Sequence, residues 1–106
     1  MNQDLHLTQT LAEAQEQHVR DTAVVFTLYT ESKPNLSELV TRYFDGATIT
    51  YGLGLWQGTT EPAAVIQIFG WLENLQNIVF LAGDIKTVNA QQTVLITWHA
   101  VTRLDV

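Results

Sequence analysis

Apolar and polar residues alternate along the middle of the chain with the period of two that is typical of β-strands. The alternation runs from Ala47 to Gln57 and puts two sets of side chains on opposite faces. A second run, Ala63 to Phe69, is apolar and rich in β-branched residues, as expected of a well-covered strand. The segment from Gly58 to Pro62 between them has the glycine and proline of a turn. We therefore predict a β-hairpin, which needs cover from other elements to be stable.

Two further strands are predicted on either side of this hairpin. Asp21 to Thr30 carries apolar side chains on both of its faces, which predicts a central strand of a sheet. Thr93 to Val101 alternates again and predicts the last strand. The hairpin thus has enough neighbouring strands to form a sheet of four.

The first helix is predicted from its ends and its apolar spacing. Asn35 is a good N-cap residue, and Glu38 three positions later completes a capping-box pattern. Asp45 and Gly46 predict the end of the helix, with glycine at the C′ position. The apolar residues at helical spacing are Leu36, Leu39, Val40 and Tyr43.

The second helix is predicted to begin by about Asn77 and to be closed by residues 89–92. Its core stripe consists of Ile78, Leu81, Ala82, Ile85 and Val88. Residues 1–20 are polar, with a thin apolar stripe at helical spacing, and predict an extra N-terminal helix. We therefore divide the chain into this polar helix and one domain over residues 21–106.

The predicted order of elements after the N-terminal helix is β-α-β-β-α-β. Right-handed crossovers turn this order into a four-stranded antiparallel sheet with both helices on one face. This is the ferredoxin-like architecture of the α+β class. The apolar set of strand positions, which includes Ile49, Tyr51, Leu53 and Ile66, is expected to face the helices.

The other face of the predicted sheet is left open, because both helices cover the same side. Its side chains are too apolar for plain exposure and too polar for a dry core, a mixture that is typical of subunit interfaces. They are Val25, Thr27, Tyr29, Thr48, Thr50, Trp56, Val65, Gln67, Phe69, Leu95, Thr97 and His99. We therefore expect this face, which we call the open face, to pack against other copies of the chain.

Composition narrows the possible partners. The 106 residues carry a formal net charge of −6, and the five Lys and Arg are scattered, so a nucleic acid or an anionic membrane would be repelled. The sequence contains no cysteine, and its three histidines have no metal-like spacing. No apolar run is long enough for a membrane helix, and the N-terminus does not resemble a secretory signal. We expect a cytoplasmic protein without a metal or a cofactor.

Three glycines of the hairpin, Gly52, Gly54 and Gly58, form the densest glycine group. A phosphate-binding loop needs a helix after its glycines, whereas a strand follows here. The two glycines inside the strand, Gly52 and Gly54, are therefore expected either to let a neighbouring backbone or ring approach, or to relieve a bulge.

No catalytic residues are assigned, because the sequence has neither a Ser-His-Asp order nor a Gly-x-Ser-x-Gly segment. His99 is a candidate base or ligand contact, but a lone histidine is more often a hydrogen-bonded interface or core residue. Aromatic, amide and acidic side chains on the predicted sheet form the candidate ligand-binding set. That set is Trp56, Gln57, Glu61, Tyr29, Gln67 and His99.

The hairpin also carries a family resemblance. Gly46–Ile49 and Gly52–Glu61 combine closely spaced glycines with a later Gly-Thr-Thr-Glu, and Lys33-Pro34 precedes the first helix. In these features the chain resembles the PII-like signalling proteins, and through Trp56-x-Gly58 followed by Glu61 it is similar to the CutA group. The resemblance implies the β-α-β-β-α-β fold and a trimer, in preference to a dimer, with clefts between the subunits.

The chain departs from the PII-like pattern where that family contacts phosphates. Leu55, Trp56 and Gln57 stand where those proteins have residues of the Arg, Gln and Lys types, and the long partner-binding loop is absent. Because phosphate binding needs positive charge or a nest of N–H donors, no nucleotide site is carried over.

Three functions are compatible with this sequence. The first is a non-enzymatic, homo-oligomeric sensor or interaction module of the PII/CutA type, with any small-molecule ligand in the clefts between subunits. The second is a dimeric α+β-barrel binder or enzyme whose pocket lies on the open face, with Tyr29, Thr50, Gln67, Thr97 and His99. The third is a structural adaptor that docks a protein partner through its acidic surface and N-terminal helix.

Overall fold

One antiparallel sheet of four strands organises residues 21–106, the part of the chain that the computed structural model describes. The strands are β1 (Ala23–Glu31), β2 (Thr48–Trp56), β3 (Thr59–Trp71) and β4 (Leu95–Ala100). Their order across the sheet is β2-β3-β1-β4. The helices are α1 (Leu36–Thr41) and α2 (Leu75–Val88), the latter preceded by a 3₁₀ turn over Leu72–Asn74. The predicted N-terminal helix over residues 1–20 lies outside the described residues.

Both helices pack on the same face of the sheet, as predicted. Phe26 and Leu28 of the central strand β1 are fully buried, and the register pairs them with Ile68 and Ile66 of β3. Burying each of these side chains contributes about 1.5–3 kcal/mol. The helices complete the core with Leu36, Leu39, Val40, Ile78, Leu81, Ala82 and Ile85. The α+β class with an antiparallel sheet is thus confirmed, and the strand order is compatible with a ferredoxin-like fold.

The turn of the hairpin lies earlier than the sequence predicted. Gln57 and Gly58 form it alone, with φ values of 50° and 80°, because two-residue turns with positive φ match the twist of the flanking strands. The predicted turn from Gly58 to Pro62 is therefore wrong, since β3 already begins at Thr59. Pro62 has no N–H to donate, and it is tolerated because it lies where β1 has already ended. Its carbonyl accepts a hydrogen bond from the Ser32 N–H at 3.2 Å.

The helix α1 is shorter than predicted. It ends at Thr41, and the following N–H groups of Arg42 and Tyr43 form tight bonds to carbonyls three residues back. The expected glycine cap at Gly46 is therefore wrong. Asn35 precedes the helix, but its side chain does not cap it, because its Nδ2 instead donates to Asn89 Oδ1 at 2.8 Å, beyond the end of α2.

The ends of α2 follow different rules. The helix begins at Leu75, earlier than the predicted Asn77. At its C-terminus, the Gln91 N–H donates to the Lys86 carbonyl at 2.9 Å, and Ala90 lies in the left-handed region with φ 53°. This is the Schellman arrangement, in which glycine usually occupies the left-handed position. The predicted closure of the helix over residues 89–92 is confirmed.

Replacing Ala90 by glycine should stabilise the fold. Alanine loses about 1 kcal/mol in the left-handed region, a cost that glycine does not have. We expect Ala90→Gly to raise the free energy of unfolding by about 0.5–1 kcal/mol in urea titrations. Ala47→Gly, at an exposed position without positive φ, is the matched control and should give no gain. Equal effects of the two changes would contradict this account of the cap.

Candidate functional site

The register of the strands shows which side chains share the open face. Residues that pair across the strands form rows, and Tyr29 forms one row with Val65 and Leu95. The next row on the same face lies two residues earlier along β1. The second row contains Thr27, Gln67 and Thr97, and the third Val25, Phe69 and His99. Thr48, Thr50 and Trp56 of β2 belong to the same face. Every residue that the alternation assigned to the open face therefore lies on it.

The open face has a buried centre and an exposed periphery. Val25 and Thr27 of the central strand are buried, whereas Phe69 and Leu95 on the flanking strands are more than half exposed. Tyr29 is 43% exposed. The chain itself therefore leaves large apolar side chains of this face in contact with water.

The distal part of the hairpin projects beyond the rest of the sheet. The pairing of β1 with β3 stops at Glu31 and Ala63, whereas β3 continues back to Thr59 with β2 as its only neighbour among residues 21–106. We call the segment from Leu53 to Pro62 the arm. Neither helix reaches it, so Leu53 is 80% exposed and Leu55 73% exposed. The expectation that Tyr51 and Leu53 meet the helices is therefore wrong, although Ile49 nearer the base does pack on the core.

A groove of about 450 Å³ lies at the base of the arm, between the arm, the end of β1 and the loop after α2. It brings together three residues of the predicted ligand-binding set, namely Tyr29, Trp56 and Glu61. The carboxylate of Glu31 lies on the same face and forms an exposed ion pair with Lys33 at 3.7 Å. Glu61 has no ion pair with another residue of the described range. The groove is therefore acidic and lined by aromatic side chains.

The other three residues of that set lie elsewhere. Gln57 is exposed in the hairpin turn, and Gln67 lines a separate groove of about 460 Å³ near the start of β2. His99 lies in the row of Phe69, and Trp56 lies in the row of Thr59. Phe69 and Thr59 are ten residues apart on β3, which is about 33 Å. A single chain therefore cannot join His99 to Trp56 in one site. Of the five positions of the predicted barrel pocket, Tyr29 and Gln67 line different grooves, and Thr50, Thr97 and His99 line neither groove.

The two glycines of β2, Gly52 and Gly54, have different surroundings. A Cβ atom on Gly54 would lie 3.1 Å from the Cβ of Ala63, so the close packing of the arm favours glycine there. A Cβ atom on Gly52 would meet nothing within 4 Å, and the φ of Gly52 is not positive. Because β2 pairs with β3 residue by residue without interruption, the interpretation as a bulge is wrong.

A buried polar cluster forms one wall of the groove at the base of the arm. Gln91 is only 7% exposed, and its Oε1 accepts bonds from Thr30 Oγ1 at 2.5 Å and from the Glu31 N–H at 3.3 Å. Its Nε2 donates to Thr30 Oγ1 at 2.7 Å. Sequence analysis missed this residue, because the left-handed Ala90 that turns Gln91 inwards carries no glycine signal.

Two charged clusters lie outside this groove. Tyr43 donates a hydrogen bond of 2.7 Å to Asp84 Oδ2, which raises the pKa of the phenol and links α1 to α2. Arg103 contacts Asp105 at 3.0 Å and lies 5.8 Å above the ring of Trp71. The hydrogen bond from Arg103 lowers the pKa of Asp105, and the same bond raises the pKa of Arg103. The guanidinium therefore stays charged at any physiological pH.

Residues 21–106 contain neither a metal-binding cluster nor a membrane-spanning helix. Within residues 21–106, no group of three or more His, Cys, Asp or Glu is arranged to hold a metal ion. The longest helix of that range has 14 residues, and none is both long and apolar enough to cross a bilayer. No family model matches the chain, and a search of curated proteins finds no match either. The similarity to PII-like and CutA proteins therefore stays a prediction.

Removing the amide of Gln91 should destabilise the fold. Gln91→Ala leaves the Thr30 hydroxyl and the Glu31 N–H without their partner, and each buried unsatisfied group costs about 1–3 kcal/mol. We expect a loss in that range from denaturant unfolding. Gln92→Ala, at the exposed neighbouring position, should change stability by less than about 0.5 kcal/mol. A Gln91→Ala protein as stable as the parent would show that the cluster contributes nothing.

Proposed function

We propose that the protein is a non-enzymatic, homo-oligomeric sensor or interaction module of the PII/CutA kind. The observation that carries this proposal is the arm, whose Leu53, Leu55 and Trp56 stay exposed because no other part of the described chain covers them. Each Leu-sized side chain that becomes buried contributes about 2 kcal/mol, so several of them favour association strongly. A module without cysteine also fits the reducing cytoplasm.

The distribution of charge supports self-association despite the net charge of −6. Neither β2 nor β4 contains an Asp, Glu, Lys or Arg residue, so two copies can meet along these strands without bringing like charges together. Both are edge strands. Edge strands of monomers usually carry lysine or proline, which prevent pairing with other chains. Their absence from β2 and β4 indicates edges that another copy covers.

Gly52 gives a further reason to place another chain on the open face. Glycine inside a strand weakens it and often marks the close approach of another backbone. Neither backbone conformation nor an internal contact requires glycine at this position. A neighbouring copy that packs on the open face supplies the missing reason.

The resemblance to PII-like and CutA proteins favours three copies. In a closed ring every copy offers the same two surfaces to its neighbours, and no edge remains free. Such a ring can bring Trp56 of one copy towards the row of His99 in the next, which the distance along β3 prevents within one chain. Ligands would then lie in the clefts between the subunits.

The assembly is tested by sedimentation velocity at micromolar concentration. The parent protein should sediment as an oligomer, and Leu53→Glu should shift it to monomer, because a charge on the arm cannot be buried without a partner. Val79→Glu changes an exposed apolar residue of α2 and should leave the oligomer intact. A parent protein that sediments as a monomer would end the proposal, and a dimer would correct the number of copies.

A valine at position 52 should separate the stability of the single chain from assembly. Valine favours β-strands by up to about 1 kcal/mol over glycine, and its Cβ has free space within the chain. We therefore expect Gly52→Val to weaken the oligomer in sedimentation while the unfolding of the separated chain requires more urea. Gly83→Ala, at an exposed helix position with free space, should stabilise the chain and leave assembly unchanged. If both variants assemble like the parent, the open face at Gly52 is not an interface.

A further inference from the structure

We propose that the tail of one copy, residues 102–106, docks in the acidic groove at the base of the arm of a neighbouring copy, with Arg103 between Glu31 and Glu61. The inference rests on the proposed function and deepens it, because it names the contact that links one copy to the next. The groove would be incomplete without the cation that the second copy contributes.

The lining of the groove contains two carboxylates and apolar walls but no Lys or Arg. Lys33, outside the lining, forms an exposed ion pair with Glu31 at 3.7 Å, and Arg103 would take its place. Glu31 pairs with Ala63 of β3, and Glu61 lies two residues before Ala63 on β3. The two glutamates are therefore diagonal neighbours on one face of the sheet. Such neighbours lie about 7–8 Å apart, a distance that a guanidinium can bridge. The walls include Leu55, Trp56 and Tyr29, and aromatic rings attract a guanidinium in addition to the carboxylates.

The tail has the complementary chemistry. Arg103 is its one base, and Leu104 and Val106 beside it are among the most exposed apolar residues of the described chain. In its own chain Arg103 pairs with Asp105 in an exposed ion pair and lies 5.8 Å above the ring of Trp71. Exposed pairs of this kind contribute about 0–1 kcal/mol, so a site with two carboxylates and two rings can compete for Arg103.

The two surfaces lie at opposite ends of the sheet. The N–H of Val101 bonds to the carbonyl of Ala23 at 3.0 Å, and Ala23 pairs with Trp71, so the tail leaves the sheet at that row. Glu61 lies ten residues back along β3 from Trp71, which is about 33 Å. A tail of five residues cannot cover that distance and still reach the groove of its own chain. Only another copy can bring the two surfaces together.

Charge reversal tests this contact through the dissociation constant of the oligomer, measured by sedimentation over a range of protein concentrations. Glu61→Arg and Arg103→Glu should each weaken assembly about tenfold, because each places like charges opposite one another. The double variant Glu61→Arg with Arg103→Glu should recover most of the parent's affinity. The loss and the recovery should both shrink in high salt, which screens exposed charges.

Matched reversals elsewhere control for net charge. Glu73→Arg and Lys86→Glu change exposed residues outside the groove and the tail, and they should leave the dissociation constant within about twofold of the parent's. An oligomer that is insensitive to Glu61→Arg and Arg103→Glu, or a double variant that is no better than the two single variants, would overturn the tail contact and leave the proposed assembly standing. A parent protein that remains monomeric would overturn both.

Discussion

The structure depends on the limited reach of its two helices. Together α1 and α2 bury one face of the sheet, and only along the stretch where β1 runs, because β1 supplies the centre of the core with Phe26 and Leu28. The hairpin is longer than β1 and therefore leaves that shelter. Hydrophobic burial thus fixes where the fold is complete, and the same constraint leaves the open face and the arm exposed.

Much of this fold could be predicted from the sequence, because side chains on a strand alternate with a strict period of two. The period assigned Tyr29, Gln67 and His99 to one face, and the register confirms it. The errors concern features that depend on distant parts of the chain. Pro62 is normally a breaker within a sheet, and it is accepted in β3 only because β1 has already ended. In the same way, Asn35 has the chemistry of a cap, yet its side chain bonds to Asn89 from the other helix.

The candidate site could likewise be predicted only in part from the sequence. Alternation identifies the face of a residue but not its distance along the sheet from other residues, so Tyr29, Trp56 and Glu61 come together while Gln67 and His99 do not. Gln91 was missed for a different reason. Its inward position follows from a left-handed alanine at the end of α2, and a left-handed residue that is not glycine leaves no mark in the sequence.

Several residues of this chain do not stabilise it as a single chain. A strand glycine at position 52 and exposed leucines on the arm are unfavourable or neutral for a chain in isolation. Each becomes favourable once a neighbouring chain covers it, because close backbone approach needs glycine and burial rewards leucine. Gly52 and the exposed leucines, which the single chain leaves unexplained, thus lie on the open face and the arm. The free energy that a neighbouring chain would gain by covering them is the physical reason to propose these two surfaces as an interface.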